Sequence, residues 1–232
     1  MKYNINFLPE GKLYELCSNI IETVKNSKDS KEDTLYKNIV DPFSAVFEAS
    51  YNKISLKDWL KIEETRQIQK TLQNAIGTFH QKILGSISGW EDLKTGGVVD
   101  LIGKDKKIIA EIKNKFNTTK GNHKIAIYDD FTSLLNGKYS GYTAYYVAIL
   151  SKKKINKPFT PSDNKVKSRR DINENIREID GASFYEMVTG DKDSLYKIYK
   201  AIPQIMSEIL QQDTSCVTKD PLFEDLFQKA FK

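Results

Sequence analysis

The chain has 232 residues, of which 39% are apolar and 29% charged, with a net charge of +5. This balance belongs to a soluble globular protein rather than a disordered one, and the length suffices for one large domain or two small ones. No apolar run approaches the roughly 18 residues of a membrane span. The first residues (MKYNINFLPEGK) lack the apolar core of a secretory signal, and Cys17 and Cys216 stand outside any zinc or redox spacing. A reduced, cytoplasmic protein is expected. The positive excess permits a nucleic-acid partner without requiring one.

Taken in order, Leu8 to Lys25 repeats apolar residues at Leu13, Leu16, Cys17, Ile20, Ile21 and Val24, the three- and four-residue spacing of a helix. Asn26 to Asp33 is polar and reads as a surface loop. Asp41-Pro42 starts a shorter helix, with Asp at the N-cap and Pro in the first turn and Phe43, Val46 and Phe47 as its apolar residues. A long helix follows from about Ser55 to Ile87, opened by the Ser55/Asp58 pair and striped by Leu56, Trp59, Leu60, Ile68, Leu72, Ile76, Phe79, Ile83 and Ile87. Arg66, Gln69, Gln73 and His80 fall along one border of that stripe at helical spacing. Beyond the centre of the chain, Lys124 to Leu135 reads as a helix. Thr143 to Leu150 (TAYYVAIL) reads as a buried central strand. Lys157 to Ile179 is irregular and basic. Ala182 to Val188, Lys192 to Leu210 and Pro221 to Phe231 read as helices. No internal repeat and no linker divides the chain, so a single domain is expected over 1–232. It has a helical part at about 8–90, a catalytic sheet at about 96–150, and a recognition and C-terminal helical part at about 151–232.

Gly96 to Asn117 (GGVVDLIGKDKKIIAEIKNKFN) carries the chemistry. Val98 to Ile102 is an apolar run around one acid, Asp100. Gly103 to Lys106 has turn composition, and Ile108 to Lys113 is rich in β-branched residues. Alternation along a strand puts Ile109, Glu111 and Lys113 on one face. Acid-x-Lys triplets also occur at Glu10/Lys12, Asp29/Lys31, Asp92/Lys94, Asp105/Lys107 and Asp163/Lys165. Only Glu111 lies within a β-periodic apolar run preceded by another that holds an acid. An acid among Val98, Val99, Leu101 and Ile102 is not a simple surface residue, because burying an unpaired charge is unfavourable. Two carboxylates suit a hard cation such as Mg²⁺, and an adjacent ammonium suits phosphodiester hydrolysis. The bland alternative is a solvated strand face.

The segments NIVDPFSAVFE, RQIQKTLQNAIGTFHQKILGSISGWEDLKTGGVVDLI, KKIIAEIKNKFNT, GYTAYYVAIL, KPFTPSD and REIDGASFYEMVTG together resemble the type II restriction endonucleases that cut GGNCC or GGWCC sites. These enzymes are a branch of the PD-(D/E)XK nuclease superfamily. The resemblance covers about 38–190. It implies an α/β fold with a restriction-endonuclease-like PD-(D/E)XK core, a mixed β-sheet with helices on both sides. It also implies double-strand cuts in DNA that leave 5′-phosphate ends, with Mg²⁺ as cofactor (Mn²⁺ substituting). The implied partners are duplex DNA, a second copy of the chain, and a cognate cytosine DNA methyltransferase that protects the host's sites. Asp100 matches the superfamily's strand acid, and Glu111 and Lys113 its E-x-K, with Asp100 and Glu111 the metal ligands. The proline usual before the first acid is replaced by Val99. His80, Gln81 and Asn114 are candidates for supporting or phosphate contacts. Arg169, Arg170, Arg177, Asp180 and Asn117 are candidates for DNA recognition, because guanine O6 and N7 suit Arg and cytosine N4 suits an acid. A junction or repair nuclease and a non-catalytic DNA-binding α/β protein are the competing readings.

Overall fold

Thr143–Leu150 is the middle of the molecule's main sheet, as its unbroken apolar composition requires. Its interior residues Ala144 to Ile149 are all buried. In the computed structural model, which describes residues 3–29, 40–93, 98–163 and 167–231, this strand is β4. The preceding strands are β1 (Trp90–Asp92), β2 (Leu101–Gly103) and β3 (Ile108–Lys115), and the following ones are β5 (Asn156–Pro158), β6 (Ser162–Asp163), β7 (Ser168–Arg169) and β8 (Ile176–Asp180). Six strands form one mixed sheet in the order β1-β2-β3-β4-β8-β5. β3, β4 and β8 run parallel, while β1, β2 and β5 pair antiparallel at the two sides. β6 and β7 make a separate two-stranded ribbon.

The described helices are α1 (Lys12–Asp29), α2 (Pro42–Asn52), α3 (Leu56–Leu84), α4 (Gly121–Asn136), α5 (Gly181–Thr189), α6 (Ser194–Leu210), α7 (Ser215–Lys219) and α8 (Leu222–Ala230). Among the described residues, none is long and apolar enough to cross a membrane. The chain divides into two compact units, Met1–Cys17 with Phe79–Lys232, and Ser18–Thr78. The divisions fall inside α1 and α3 rather than at a linker.

In the larger unit, helices flank both faces of the sheet. Ile127, Tyr128 and Phe131 of α4 pack with Ile109, Ala144, Tyr146 and Ile176. Tyr146 also stacks on Phe159, with ring centroids 4.7 Å apart, a contact that stabilises by about 0.5–1.5 kcal/mol beyond burial. On the opposite face Phe184 of α5 meets Tyr145 and Trp90. α8 closes on α6 through a Tyr199–Phe223 stack and a bond from Tyr199 Oη to the Phe223 carbonyl.

The smaller unit is a helical assembly. Asp41 caps α2 by accepting from the Phe43 amide (2.9 Å). Ser55 caps α3 by accepting from the Asp58 amide while donating to its carboxylate. Ala45 and Ala49 of α2 meet Trp59 of α3, whose indole donates to Glu48. Arg66 pairs with Glu48 and Glu63, so this residue of the long helix's polar border serves packing within its own unit.

The structure departs from the sequence reading in several places. α1 continues through Asn26 to Asp29, where a loop is expected. The rest of that expected loop, to Asp33, lies outside the described residues, as do Lys94, Gly96, Gly97, Asn164 and Lys165. The run before Gly103 is strand only from Leu101, and Asp100 sits in a bend just ahead of it. α4 begins at Gly121, three residues before the expected helix start at Lys124. The sharpest departure is β8. Ile176–Asp180 occupies an interior position in the sheet, although its sequence (IREID) lies in the stretch read as irregular. Its buried residues Ile176, Ile179 and Asp180 are not spaced at period two, so alternation could not reveal it.

Candidate active site

Asp100, Glu111 and Lys113 come together because β2 and β3 are antiparallel neighbours, with Leu101 opposite Ala110. The Asp100 amide donates to the Ala110 carbonyl (3.0 Å), which holds the bend beside β3. Asp100 Oδ2 accepts from the Ile112 amide at 2.7 Å, fixing the carboxylate at the strand edge. Lys113 Nζ donates to Glu111 Oε1 at 2.6 Å. Both residues share a strand face, as alternation requires.

The electrostatics identify this as a strained pair. Burial raises the pKa of Glu111 to about 7, and the nearby Asp100 charge adds to that. Asp100 is also raised, chiefly by burial. Each carboxyl group bears on the protonation of the other, so the two face the same space. Burial works against the charge on Lys113, but the hydrogen bond and charge of Glu111 outweigh it and raise its pKa. These residues fit a divalent cation. It would offset the repulsion between two carboxylates that the fold places together.

This has a consequence for stability in the absence of metal. Glu111 has an ordinary value of 4.5 and a folded value of about 7. In that window the folded chain holds a proton that the unfolded chain has lost, so stability falls as pH rises through it. Asp100→Asn removes the opposing charge and leaves the Glu111–Lys113 pair intact. At pH 8, metal-free, its melting temperature is expected to lie above the parent's, and Ca²⁺ is expected to raise the parent's but not the variant's. A variant that melts below the parent and still responds to Ca²⁺ would remove the metal assignment.

The supporting candidates divide. Gln81 Nε2 donates to Asp92 Oδ1 at 2.9 Å, and the Asp92 charge bears on Asp100. Gln81 is thereby linked to the Asp100–Glu111–Lys113 cluster through a carboxylate that the sequence reading did not single out. His80 Nδ1 instead lies 2.9 Å from Tyr185 Oη. Burial pulls the His80 pKa down to about 4, leaving a neutral ring at pH 7 that offers a phosphate no charge. Asn114 alternates to the strand face opposite Glu111 and Lys113. Asn117 lies exposed in the turn after β3.

The recognition candidates divide as well. Asp180 is 5% exposed. It caps α5 by accepting from the Ser183 amide, and its other oxygen accepts from the Ile155 amide. Both oxygens are therefore used within the fold. Arg170 grips Asp129 through two bonds and approaches Asp163. Arg177 is held by Asn156 and Glu174. Arg169 is exposed and bonds through Nη1 to the Thr160 carbonyl.

Two recesses flank the row that runs from Glu111 across Tyr146 to Glu178. One, of about 170 Å³, is lined by Phe116, Lys124, Tyr146, Lys152 and Lys153. The other, of about 320 Å³, is lined by Lys124, Phe159, Pro161, Arg169 and Glu178. Lys124 faces both, and its ammonium lies 5.6 Å from the centre of the Tyr146 ring. Sequence periodicity gave no reason to select Lys124, because its place depends on the docking of α4.

Residues 5–211 match the family model described as Eco47II restriction endonuclease. The chain is 40% identical over 213 residues to the type II restriction enzyme Eco47II of Escherichia coli, covering 90% of this chain and 89% of that one. It is 29% identical over 235 residues to the type II restriction enzyme Sau96I of Staphylococcus aureus, covering 97% and 89%. The match spans the cluster at β2 and β3 and nearly the whole sheet-bearing unit: the chain belongs to the Eco47II restriction endonuclease family and is a type II restriction endonuclease.

Proposed function

We propose that this chain cuts both strands of duplex DNA at a palindromic site of the GGNCC or GGWCC type, leaving 5′-phosphate ends. Its core is of the PD-(D/E)XK kind, and its cofactor is Mg²⁺, with Mn²⁺ able to substitute. The observation that carries this reading is the placing of two half-buried carboxyl groups, Asp100 and Glu111, side by side on neighbouring strands, with Lys113 Nζ 2.6 Å from Glu111. Asp100 and Glu111 would hold the cation, which would supply Lewis acidity to the scissile phosphate and acidify water. The residues themselves do the positioning. The Ile112 amide fixes Asp100, and Gln81 holds Asp92 behind it. Lys113 presents a positive charge where negative charge builds on the phosphoryl oxygens. Lys124, Lys152 and Lys153 line the adjoining recess and suit the flanking phosphates. Each chain offers one such cluster, so a homodimer makes the double-strand cut, matching a palindrome with two-fold symmetry. The working location is the cytoplasm, beside a cognate cytosine methyltransferase.

Plasmid incubated with the protein and Mg²⁺ is expected to give discrete fragments, and sequencing their ends gives the site and the cut position. Junction-dependent nicking, or a mobility shift without cleavage, would replace this reading with a repair nuclease or a DNA-binding protein.

Base recognition falls first to Arg169. It is exposed on β7, and among the described residues its one bond is to a carbonyl of the same ribbon region. Arg170 and Arg177 are engaged by Asp129, Glu174 and Asn156 and shape the loop. Arg169→Ala is expected to weaken cognate binding by about 1–3 kcal/mol and to relax preference at one base pair, as measured in Ca²⁺ at fixed salt. Equal loss on cognate and mismatched duplexes would make it a phosphate contact and move recognition to the turn at Asn117.

A further inference from the structure

Helix α2 is built inside out. Its small residues Ala45 and Ala49 face Trp59, while its large ones face water. Phe43 is 75% exposed, Phe47 76% and Tyr51 86%, with Val46 more than half exposed. Positions 43, 46, 47, 50 and 51 follow helical spacing and form one stripe. A surface of this kind on a soluble chain marks an interaction site.

We propose that this stripe is the face through which two copies of the chain associate, with α2 packing on its copy about a two-fold axis. The proposal rests on the double-strand nuclease reading, in which two clusters are needed and each chain supplies one. Three observations select a second copy over other occupants. The stripe carries no charge: Asp41 is the cap at its start, and Glu48 is tied to Trp59 and Arg66. The helix Pro42–Asn52 contains no Lys or Arg, whereas DNA or an anionic lipid surface calls for both basic charge and exposure. A neutral apolar stripe is complementary to itself under two-fold rotation, since no like charges meet. The four side chains leave on the order of 500 Å² in water, so face-to-face pairing removes about 1,000 Å², which reaches the size of a specific interface.

The test is the mass of the full chain in solution, without DNA or metal, by multi-angle light scattering over a concentration series. The parent is expected to run as a dimer, and Phe43→Glu/Phe47→Glu as a monomer with unchanged circular dichroism. Leu222→Glu/Leu226→Glu, which alters another exposed apolar pair, is expected to stay a dimer. A parent that is monomeric at every concentration, including one that sediments with vesicles instead, overturns the proposal. So does a glutamate variant that remains a dimer. Should the double variant fail to fold, Phe47→Ser reads the same face: a dimer constant weakened tenfold or more supports it, and an unchanged one overturns it. Plasmid cleavage by the parent, measured separately, tests the nuclease reading, so the two can fail independently.

Discussion

Alanine at Asp100, Glu111 or Lys113 is expected to reduce plasmid cleavage by roughly 10³-fold or more, the range seen when one group that stabilises developing charge is removed. The three variants should differ in how they fail. Asp100→Ala removes both a proposed metal ligand and the acceptor of the Ile112 amide. Glu111→Ala removes the second proposed ligand and leaves Lys113 without its 2.6 Å partner. Both should lose cleavage together with the Ca²⁺-dependent rise in melting temperature. Lys113→Ala leaves the two carboxyl groups in place and should still bind metal and cognate DNA. Its defect belongs to the chemical step, so DNA affinity in Ca²⁺ stays near the parent's while the single-turnover rate falls. Each side chain is partly buried, and none belongs to the hydrophobic core, so the variants should fold. A cleavage rate within tenfold of the parent's in any of them would show that the chemistry lies elsewhere.

The largest expected effect on stability is at Gly181, far from the reaction in sequence but adjacent to the sheet. α5 begins there, immediately after β8, and passes so close to β4 that an added Cβ would lie 2.5 Å from the Ile149 carbonyl oxygen and 2.6 Å from its Cα. The obstruction is backbone of the central strand, which cannot rotate aside as a side chain can. Gly181→Ala must push α5 away from β4, opening the contact between Phe184 and Tyr145 and pulling on the cap that Asp180 makes to Ser183. Overpacking of this sort destabilises by about 1–3 kcal/mol or more, to which loss of the cap adds about 1 kcal/mol. In a denaturant titration the midpoint should drop clearly with an unchanged slope. Gly121→Ala is the contrast, because nothing lies within 4 Å of its added Cβ and the helix start there should tolerate it. Equal midpoints for Gly181→Ala and the parent would mean that the α5–β4 approach is looser than described.

The sequence by itself determined what depends on near neighbours in the chain. Apolar spacing gave the first helix and the helix before Leu210, though not the ends of the first, which was read as Leu8 to Lys25 and runs Lys12–Asp29. Asp41-Pro42 gave the start of α2, and TAYYVAIL gave β4 without error. Alternation alone put Glu111 and Lys113 on one face, and the run of family blocks named the kind of enzyme. What remained hidden depends on partners distant in sequence. β8 is a strand because β4 and β5 supply its hydrogen bonds, although its own letters lack a period. Asp180, Arg170 and Arg177 look alike as charges available to DNA. Only the tertiary structure commits Asp180 to capping α5, Arg170 to Asp129 and Arg177 to Asn156 and Glu174. The apolar residues of α2 were visible, but their exposure was not. A helical stripe reports which residues share a face, and tertiary packing decides whether that face meets the chain's own core. On α2 the two alanines take the core, and the aromatic side chains are left in water.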